Sequence, residues 1–374
     1  MSDGTKNAQR PNLNLGVGEL NTRNIDAIRT AISRKKREVL SALLTGEHPA
    51  DIADIFEQLS SDDRLSMIDL AAYILSPAVL AELEDEVVED VLPLLELKQI
   101  SEAVAELDSD DATQLIEELD KDQRAEVMAN LSTRDREVVE ASLAFDEETA
   151  GRLMQREFVA APEFWNAGQT IDHMRSLSEK GGESLPDLFF DLYIIDSRFH
   201  PLGYVPLSRL VQCGRDTALK KVMLNIPALI DPKMDQEDVA YLFEKYDLIS
   251  APVVDEDGRL TGMITVDDMV EVIQEENKED MLALAGVSEA GLTDTAFSTV
   301  KARAPWLLVN LITALGASFI ISLFKDEITK LVALAVLMPI VASLGGNTGI
   351  QALTVAIRAL VTRDLTPANT WRVV

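Results

Sequence analysis

An acidic stretch near residue 270 has the residue types and spacing of a cation-binding helix face. Residues 268–280 read DMVEVIQEENKED. At about 100° per residue, a helix places four acids within about 80° of arc and two beside them: Asp268, Glu271, Glu275 and Glu279, then Glu276 and Asp280. Two unit charges about 4 Å apart repel by about 1 kcal/mol in water and about 4 kcal/mol at an effective dielectric constant of 20. An approaching acidic surface would therefore need a counter-cation.

Magnesium suits such a face, because Mg²⁺ accepts carboxylate ligands and keeps most of its waters. The sequence offers no cluster of histidines for a softer metal, since His48, His173 and His200 are scattered and we interpret them as structural. Cys213 is the single cysteine, which excludes an internal disulfide and suits a reducing compartment. The alternative for each single acid is a solvated surface group.

The charge of the chain points to the same class of partner. The formal net charge is −30, and residues 41–150 carry 30 acidic and 6 basic side chains. Nucleic acid is excluded as a partner because such a surface repels phosphates, whereas divalent cations fit. Acidic helices that only keep a protein soluble are the alternative for residues 41–150. The N-terminus, MSDGTKNAQRPNLN, lacks the apolar core of a signal peptide, so we expect a cytoplasmic body.

The first part of the chain predicts a disordered tail, residues 1–23, and an acidic α-superhelical domain, residues 24–150. Leu107, Leu119 and Leu131 are 12 residues apart, and each precedes a polar turn: DSDD, DKDQ and STRD. LSSDD at residues 59–63 has the same form. Ser and Asp in these turns can cap the next helix, which favours short antiparallel helices stacked in series.

The middle of the chain contains one unit twice, at residues 191–210 and 251–270. Each copy reads as strand, acidic turn, glycine, strand and helix, which resembles tandem CBS domains, at residues 151–213 and 214–276. In nucleotide-binding members a Gly-x-x-Ser/Thr-x-x-Asp element holds ribose, and Gly262, Thr265 and Asp268 fit it. The first copy has Pro206 and Arg209 at the last two positions, which weakens the case for a nucleotide there. The resemblance therefore implies ATP as a candidate ligand at Thr265 and Asp268 of the second copy.

Two uncharged stretches, residues 304–324 and 331–357, are long enough to cross a bilayer. We expect a polar hairpin, KDEITK, between them. The basic residues Lys301, Arg303, Arg358, Arg363 and Arg372 flank the pair and predict that both ends face the cytoplasm. The transmembrane domain is assigned to residues 301–374.

The second stretch contains LGGNTGIQ, whose polar groups have no use in a simple anchor. Pro339 and the two glycines are expected to loosen the helix and expose carbonyls beside Asn347 and Gln351. These groups line a wet path, or else Gly and Ala permit close packing while Asn and Gln bond neighbouring helices. The candidate pore-lining residues are Gly345, Gly346, Asn347 and Gln351.

The string MPIVASLGGNTGIQALTVAIRALVTRDL, residues 338–365, resembles the MgtE family of magnesium channels and transporters. The order of acidic helical domain, CBS pair, acidic linking helix at residues 268–300 and membrane domain resembles it too. The fold class implied is a multi-domain α and α/β membrane protein. Family members have five membrane helices, of which two are present here, and their pore acid lies in the fifth.

The resemblance also implies partners and ligands. It implies a homodimer in the plasma (inner) membrane that passes Mg²⁺ and is shut when cytoplasmic Mg²⁺ binds between its domains. The implied metal ligands are Asp110 and Asp111 in the helical domain, Asp235, Glu237 and Asp247 in the CBS region, and Asp268, Glu271, Glu276, Glu279 and Asp280 in the linking helix. The family often has a further Asp where this chain has Gln114.

The alternative function is a membrane-tethered CBS sensor of Mg²⁺ or nucleotide that transports nothing. It explains the soluble part equally well, but it gives GGNTGIQ no role. An enzyme is not predicted, because the sequence lacks a nucleophile–base pair, a P-loop glycine string and a His-rich metal set.

Overall fold

The computed structural model describes residues 17–180, 186, 188–285 and 296–361. The described chain forms two compact units, which we treat separately. The first contains all the strands and the helices up to Ala285. The second begins with the helix that starts at Ala296.

The first part of the large unit is entirely helical, as the polar-turn repeat predicts. Its helices are α1 Val17–Ser33, α2 Arg37–Leu44, α3 Pro49–Glu57, α4 Ser61–Ala71, α5 Pro77–Ala81, α6 Asp85–Val91, α7 Leu97–Glu106, α8 Ser109–Glu117, α9 Lys121–Asn130, α10 Thr133–Ser142 and α11 Ala150–Leu153. Residues 1–16 of the predicted tail lie outside the described residues, and α1 begins before the predicted boundary at residue 24.

Three of the four polar turns cap the following helix as predicted. The side chains of Ser60, Asp120 and Ser132 accept hydrogen bonds from backbone amides in the first turns of α4, α9 and α10. At the fourth turn, the amide and hydroxyl of Ser109 donate to Glu157 Oε2, at 3.2 and 2.8 Å. A residue from the next domain therefore meets the N-terminus of α8.

The helical domain has one continuous apolar core, with a buried arginine at its edge. Arg64 is 3% exposed. Its Nε donates to the Phe56 carbonyl at 2.7 Å, and its Nη1 pairs with Asp90 at 2.8 Å. A third bond reaches the Glu57 carbonyl at 3.1 Å. The guanidinium thus ties the end of α3 to α4 and α6.

The CBS region combines two small sheets with short helices. Its elements are β1 Ala160–Pro162, α12 Ala167–Lys180, β2 Asp191–Ile195, β3 Pro201–Pro206, α13 Leu207–Gln212, α14 Leu219–Val222, α15 Gln236–Tyr246, β4 Ser250–Val254, β5 Leu260–Thr265 and α16 Val266–Ala285. The strand orders are β1-β2-β3 and β4-β5. The β2–β3 and β4–β5 pairs are antiparallel, and each has an irregularity before its last residue pair, which confirms the duplication.

The glycine of each copy is required by a neighbouring backbone. A Cβ at Gly203 would lie 2.6 Å from the Leu224 carbonyl oxygen, and a Cβ at Gly262 would lie 2.8 Å from that of Gln155. In each copy the residue after the glycine pairs with this neighbour, as Tyr204 with Leu224 and Met263 with Gln155. The element that suggests nucleotide binding therefore has a packing role in both copies.

The acidic linking helix is α16, which starts directly after β5. It is described to Ala285, and residues 286–295 of the predicted linking helix lie outside the described residues. One face of α16 packs on α15 and buries Met269 and Val272. The acids between these apolar positions remain on its other faces.

The second unit contains α17 Ala296–Leu323, α18 Lys325–Lys330 and α19 Val332–Val361. Residues 304–323 and 335–359 are long and apolar enough to cross a membrane, with mean hydropathies of 2.0 and 1.4. The prediction of a polar hairpin at KDEITK is wrong, because α18 is helical. At the C-terminal end of α18, the Leu331 amide donates a hydrogen bond to the Glu327 carbonyl at 3.0 Å.

The expected loosening of the second span is also absent. The helix α19 runs without a break through Pro339, Gly345 and Gly346. One proline removes one backbone donor, and the remaining i→i−4 bonds can maintain the helix. At 30 residues α19 is about 45 Å long, more than a bilayer core of about 30 Å needs. Arg363 and Arg372, which contribute to the orientation prediction, lie outside the described residues.

Candidate metal-binding surface

The fold brings the start of α8 against the start of α16. Asp110 and Asp111 lie in the first turn of α8, and Asp268 lies in the first turn of α16. After burial, the charge of Asp268 is the largest cause that raises the pKa of both helical-domain carboxyls. The structure therefore places together three residues that the resemblance implies as ligands from different domains.

Burial is the main cause of the pKa shifts at this contact. Burial, then the charges of Asp268 and Asp111, raises the pKa of Asp110 well above its usual range. Burial, then Asp268 and Asp108, raises the pKa of Asp111 to about 7. Burial raises the pKa of Asp268 to about 6, against hydrogen bonds that Thr265 donates. All three carboxylates have lost part of their hydration.

The next turns of α16 face two further acids of the helical domain. Glu271 has a raised pKa through burial and then the charges of Asp85 and Glu82. Burial, then the charges of Glu271 and Asp85, raises the pKa of Glu275 to about 7. Glu271 and Glu275 are exposed at the surface, and the charge of Asp85 in the helical domain adds to the rise in both pKa values. We call these seven acids the interdomain acid cluster: Glu82, Asp85, Asp110, Asp111, Asp268, Glu271 and Glu275.

The ligand set implied by resemblance omits three members of this cluster, Glu82, Asp85 and Glu275. Glu275 stands on the helical stripe, so periodicity identifies its face. Glu82 and Asp85 lie in the acidic run ELEDEVVED at the start of α6, which resembles many other acidic runs in this domain. Gln114, where the family often has Asp, donates through Nε2 to Asp85 Oδ1 at 3.3 Å.

A second acidic contact lies where α15 begins beside α16. Asp235 accepts the Glu237 amide at 2.9 Å and caps α15. Burial comes first among the causes that raise the pKa of Glu237, followed by a hydrogen bond with Glu276 and by the charges of Glu276, Asp235 and Asp280. Gln236 Nε2 donates to Glu276 Oε1 at 2.8 Å. Four implied ligands therefore meet here: Asp235, Glu237, Glu276 and Asp280.

Two implied ligands are placed differently. Asp247 ends α15 in the left-handed conformation, with φ of 50°. It is therefore about 18 Å along the helix from Asp235, since the two residues cap opposite ends of α15. Glu279 lies on the exposed part of α16, and its charge contributes to the raised pKa of Glu275. Within one chain the described residues do not bring Asp247 to the other ligands.

The donor atoms of the interdomain acid cluster fit a hard divalent cation. All are carboxylate oxygens, which Mg²⁺ prefers. Among the residues that the structure describes, none of the seven forms a salt bridge with Lys or Arg. Lys278 is the basic side chain that lowers the pKa of Glu275. Within the described ranges no three acids are already arranged as a coordination shell, so binding would require the side chains to draw together.

The predicted nucleotide element at the second copy is occupied by contacts within the chain. Thr265 donates through its amide and its hydroxyl to Asp268 Oδ2, at 3.2 and 2.8 Å. Asp268 also belongs to the interdomain acid cluster. A nucleotide phosphate at this position would face concentrated negative charge.

The candidate pore residues lie on one continuous helix, α19. Gly345, Gly346, Asn347 and Gln351 are exposed in the described chain. Asn347 and Gln351 are four residues apart and share a helix face. A Cβ at either glycine would meet no atom within 4 Å, so both the pore alternative and the packing alternative remain predictions.

The three histidines have structural roles, as predicted. His48 accepts the Ala50 amide at 3.2 Å and caps α3. His173 packs edge-on against Trp165, with ring centroids 4.9 Å apart. His200 bonds Asp196 at 2.9 Å.

Comparisons with known proteins match the two soluble domains. Residues 47–148 match the MgtE intracellular N domain, and residues 219–275 match the CBS domain. The magnesium transporter MgtE of Thermus thermophilus is 33% identical over 236 residues, which cover 62% of this chain and 51% of that protein. The chain spans about half the length of the curated relatives it matches.

Solved structures agree with this assignment. The cytosolic domain of the Mg²⁺ channel MgtE in complex with ATP is 26% identical, with a TM-score of 0.59 over 66% of this chain and 99% of that one. The soluble part of a magnesium transporter is 24% identical, with a TM-score of 0.56 over 68% and 99% of the two chains, and it supports the fold alone. The resemblance to the MgtE family is therefore confirmed for the intracellular N domain and the CBS region.

Proposed function

We propose that this chain forms the cytoplasmic sensor and the first two membrane helices of a Mg²⁺-selective channel or transporter that cytoplasmic Mg²⁺ closes. Relatives named magnesium transporters and the two apolar helices support this proposal. The observation that carries it is the apposition of Asp110 and Asp111 to Asp268 across two domains.

The sensing chemistry rests on repulsion between poorly hydrated carboxylates. Two such charges about 4 Å apart repel by about 4 kcal/mol at an effective dielectric constant of 20. Mg²⁺, when bound, supplies the positive charge that lets the acidic surfaces remain together. At low Mg²⁺ the ionised acids of α8 and α16 push these helices apart. Because α16 precedes the first apolar helix in the chain, its release is our proposed opening step.

The proposed ligands are those implied by resemblance, with the three additional acids of the cluster. From the helical domain they are Asp110, Asp111, Glu82 and Asp85. From the CBS region they are Asp235, Glu237 and Asp247, and from the linking helix they are Asp268, Glu271, Glu275, Glu276, Glu279 and Asp280. For Asp247 the proposal needs a second subunit, and the implied homodimer would supply one.

Transport is tested by Mg²⁺ flux into liposomes that contain the full chain and a Mg²⁺-sensitive dye. We expect flux that falls as Mg²⁺ on the side of the soluble domains rises. The triple variant Glu271→Gln, Glu276→Gln and Glu279→Gln should keep its flux at millimolar Mg²⁺. Glu137→Gln with Glu140→Gln is the matched control, since both acids are exposed on α10 away from the cluster.

Sensing is tested separately by hydrogen–deuterium exchange of α8 and α16 in the same preparations. Millimolar Mg²⁺ should slow exchange in both helices, and the triple variant should lose this protection. If neither helix responds to Mg²⁺, the sensing mechanism is wrong whatever the flux.

The second candidate function is the tethered sensor without transport. It is favoured by the same cluster, which requires no pore. Protection of α8 and α16 by Mg²⁺ without flux above that of empty liposomes would select it.

The proposed location is the plasma (inner) membrane as a multi-pass homodimer, with the soluble domains in the cytoplasm. Protease treatment of sealed inside-out membrane vesicles should cut the helical domain, and right-side-out vesicles should protect it. A crosslinked dimer is expected in detergent. Cleavage of the helical domain in right-side-out vesicles, with protection in inside-out vesicles, would contradict the proposed orientation.

ATP is the second proposed ligand, because the cytosolic domain of one relative was solved with it. The sequence resemblance assigns it to Thr265 and Asp268, so ATP would have to replace the bonds that Thr265 donates to Asp268. ATP titration of the full chain with Thr265→Ala as the variant tests this, and equal ATP binding by both proteins would exclude the site.

A further inference from the structure

The β2–β3 turn, residues 196–200, and the β4–β5 turn, residues 255–259, have the same backbone geometry. The Asp196 amide donates to the His200 carbonyl at 3.0 Å, and the Asp255 amide donates to the Arg259 carbonyl at 2.9 Å. Each aspartate also accepts, through Oδ1, the amides two and four residues after it, at 2.7 to 2.9 Å. His200 therefore occupies in the first turn the position that Arg259 occupies in the second.

The two turns also contact each other across the CBS pair. The Phe199 carbonyl accepts the Leu260 amide at 2.9 Å, and His200 Nε2 lies 3.2 Å from the Asp257 carbonyl oxygen. Phe199 has a left-handed backbone, with φ of 72°, where the second turn has Gly258, with φ of 77°. A residue with a Cβ rarely adopts this conformation. The first turn thus keeps a strained residue at the point where it holds the second.

The His200 ring lies between two groups that only accept hydrogen bonds. Its Nδ1 is 2.9 Å from Asp196 Oδ2, and its Nε2 faces the Asp257 carbonyl. The bond from the His200 backbone amide is the first cause that lowers the pKa of Asp196, so this acid is a carboxylate at neutral pH. A neutral imidazole has one N–H and can donate to one of the two acceptors. Both bonds together therefore require the imidazolium form.

Deprotonation of the ring would break its bond to the second copy. The remaining proton stays on Nδ1, where the Asp196 carboxylate stabilises it, so Nε2 would turn a lone pair towards the Asp257 carbonyl. The other charged side chains of the two turns are Arg198, Asp255, Glu256, Asp257 and Arg259. Glu256 pairs with Lys233 at 2.8 Å, and Arg259 lies 3.8 Å from the Asp257 carboxylate. The ring itself has its ion pair with Asp196.

We propose that His200 is a proton-dependent clamp between the two CBS copies, which holds their turns together as the imidazolium and releases the second turn when neutral. Histidine is the side chain whose ordinary pKa, about 6.5, lies in the physiological range. An arginine, as at Arg259, would remain charged throughout that range. The contact between the copies therefore tightens as the pH falls and loosens as it rises. The clamp lies outside the interdomain acid cluster and does not depend on Mg²⁺ binding.

Hydrogen–deuterium exchange of the full chain in detergent, at pH 5.5 and pH 8, tests the clamp at the Leu260 amide. After correction for the effect of pH on chemical exchange, we expect at least about threefold more protection at pH 5.5. His200→Gln should remove this difference, and His200→Arg should retain the protection at pH 8. His173→Gln, on α12, is the control and should behave as the unmodified chain. The acid cluster is the same in all four proteins, so its own pH dependence cancels. An equal pH effect in the unmodified chain and His200→Gln, or none in either, would overturn the proposal.

Nitrogen-15 NMR of the histidine rings measures the protonation state directly in the unmodified chain. The chain has three histidines, and the signals of His200 are those missing from His200→Gln. We expect both ring nitrogens to carry protons at pH 5.5, and the neutral form at pH 8 to keep its proton on Nδ1. A neutral form with its proton on Nε2, or a ring whose charge is the same at both pH values, would contradict the clamp.

Discussion

Asp111 in the helical domain and Asp268 on the linking helix α16 lie close enough for the charge of Asp268 to raise the pKa of Asp111. They are more than 150 residues apart in the chain. Neither forms a salt bridge within the described residues. Two poorly hydrated carboxylates therefore face one another across a domain boundary, and the stability of that boundary depends on protons and cations.

The first prediction concerns pH in the absence of divalent cations. Folding raises the pKa of Asp111 and Glu275 to about 7 and that of Asp268 to about 6, above unfolded values near 3.9–4.3. Their stabilising contribution is complete below about pH 4 and is lost as the pH rises through about 6 to 7. Thermal unfolding in EDTA should therefore occur at a lower temperature at pH 8 than at pH 5.

The matched variant for this pH effect is Asp111→Asn. It removes one charge at the contact, so it should unfold at a higher temperature than the unmodified chain at pH 8, by roughly 1 kcal/mol after allowance for solvent screening. Added Mg²⁺ should raise the unfolding temperature of the unmodified chain more than that of the variant. If the unfolding temperature falls by the same amount in both proteins from pH 5 to pH 8, groups other than Asp111 cause the pH dependence.

The second prediction concerns Gln114, which donates to Asp85 at 3.3 Å. Gln114→Asp replaces this donor with an anion. We expect lower stability without Mg²⁺ and a larger Mg²⁺-dependent rise in unfolding temperature. Gln123→Asp on α9, outside the cluster, is the control. A variant that loses stability with no gain in its Mg²⁺ response would argue against metal binding beside Asp85.

The third prediction concerns Arg64, which is 3% exposed and bonded to the Phe56 and Glu57 carbonyls and to Asp90. Arg64→Ala leaves these acceptors without their donor, so we expect it to lower the free energy of unfolding by roughly 2–4 kcal/mol. Urea unfolding followed by circular dichroism measures this. Arg134→Ala, at an exposed position on α10, should change it by less than about 0.5 kcal/mol.

The fourth prediction separates packing from ligand binding at the repeated glycines. Gly262→Ala places a Cβ 2.8 Å from the Gln155 carbonyl oxygen, so we expect it to destabilise the CBS region by roughly 1–3 kcal/mol. At Gly214 the nearest atom to a Cβ would be 3.6 Å away, and Gly214→Ala is the control. Equal stability of both variants would mean that the strand moves freely at Gly262.

The fifth prediction concerns α19. Asn347→Ala should leave the helical circular dichroism unchanged, because alanine favours a helix and the glycines nearby have open surroundings in the chain. We expect its Mg²⁺ flux in liposomes to fall about tenfold or more if this polar face lines the path. Thr354→Ala, on the same helix, is the comparison. Full flux in Asn347→Ala would favour the helix-packing alternative.

Features that depend on residues close together in the chain could be predicted from the sequence. Ser60, Asp120 and Ser132 cap helices because a short polar side chain reaches amides two or three residues ahead. The duplicated strand pairs follow from the two-residue alternation of side chains in a strand. The apolar spans follow from runs of about 20 uncharged residues, which is the length that a bilayer core requires. The stripe on α16 is likewise a property of helical spacing. In α19 this reasoning fails, since the consequence of Pro339 depends on the bonds around it.

Only the tertiary structure decided which acids meet. Helix spacing identifies the acidic face of α16 but not the surface that faces it. The structure shows that Glu82 and Asp85 belong to the interdomain acid cluster and that Asp247 lies at the far end of α15. The physical reason is that desolvation and charge–charge repulsion act through space, between residues that packing brings together from separate parts of the chain.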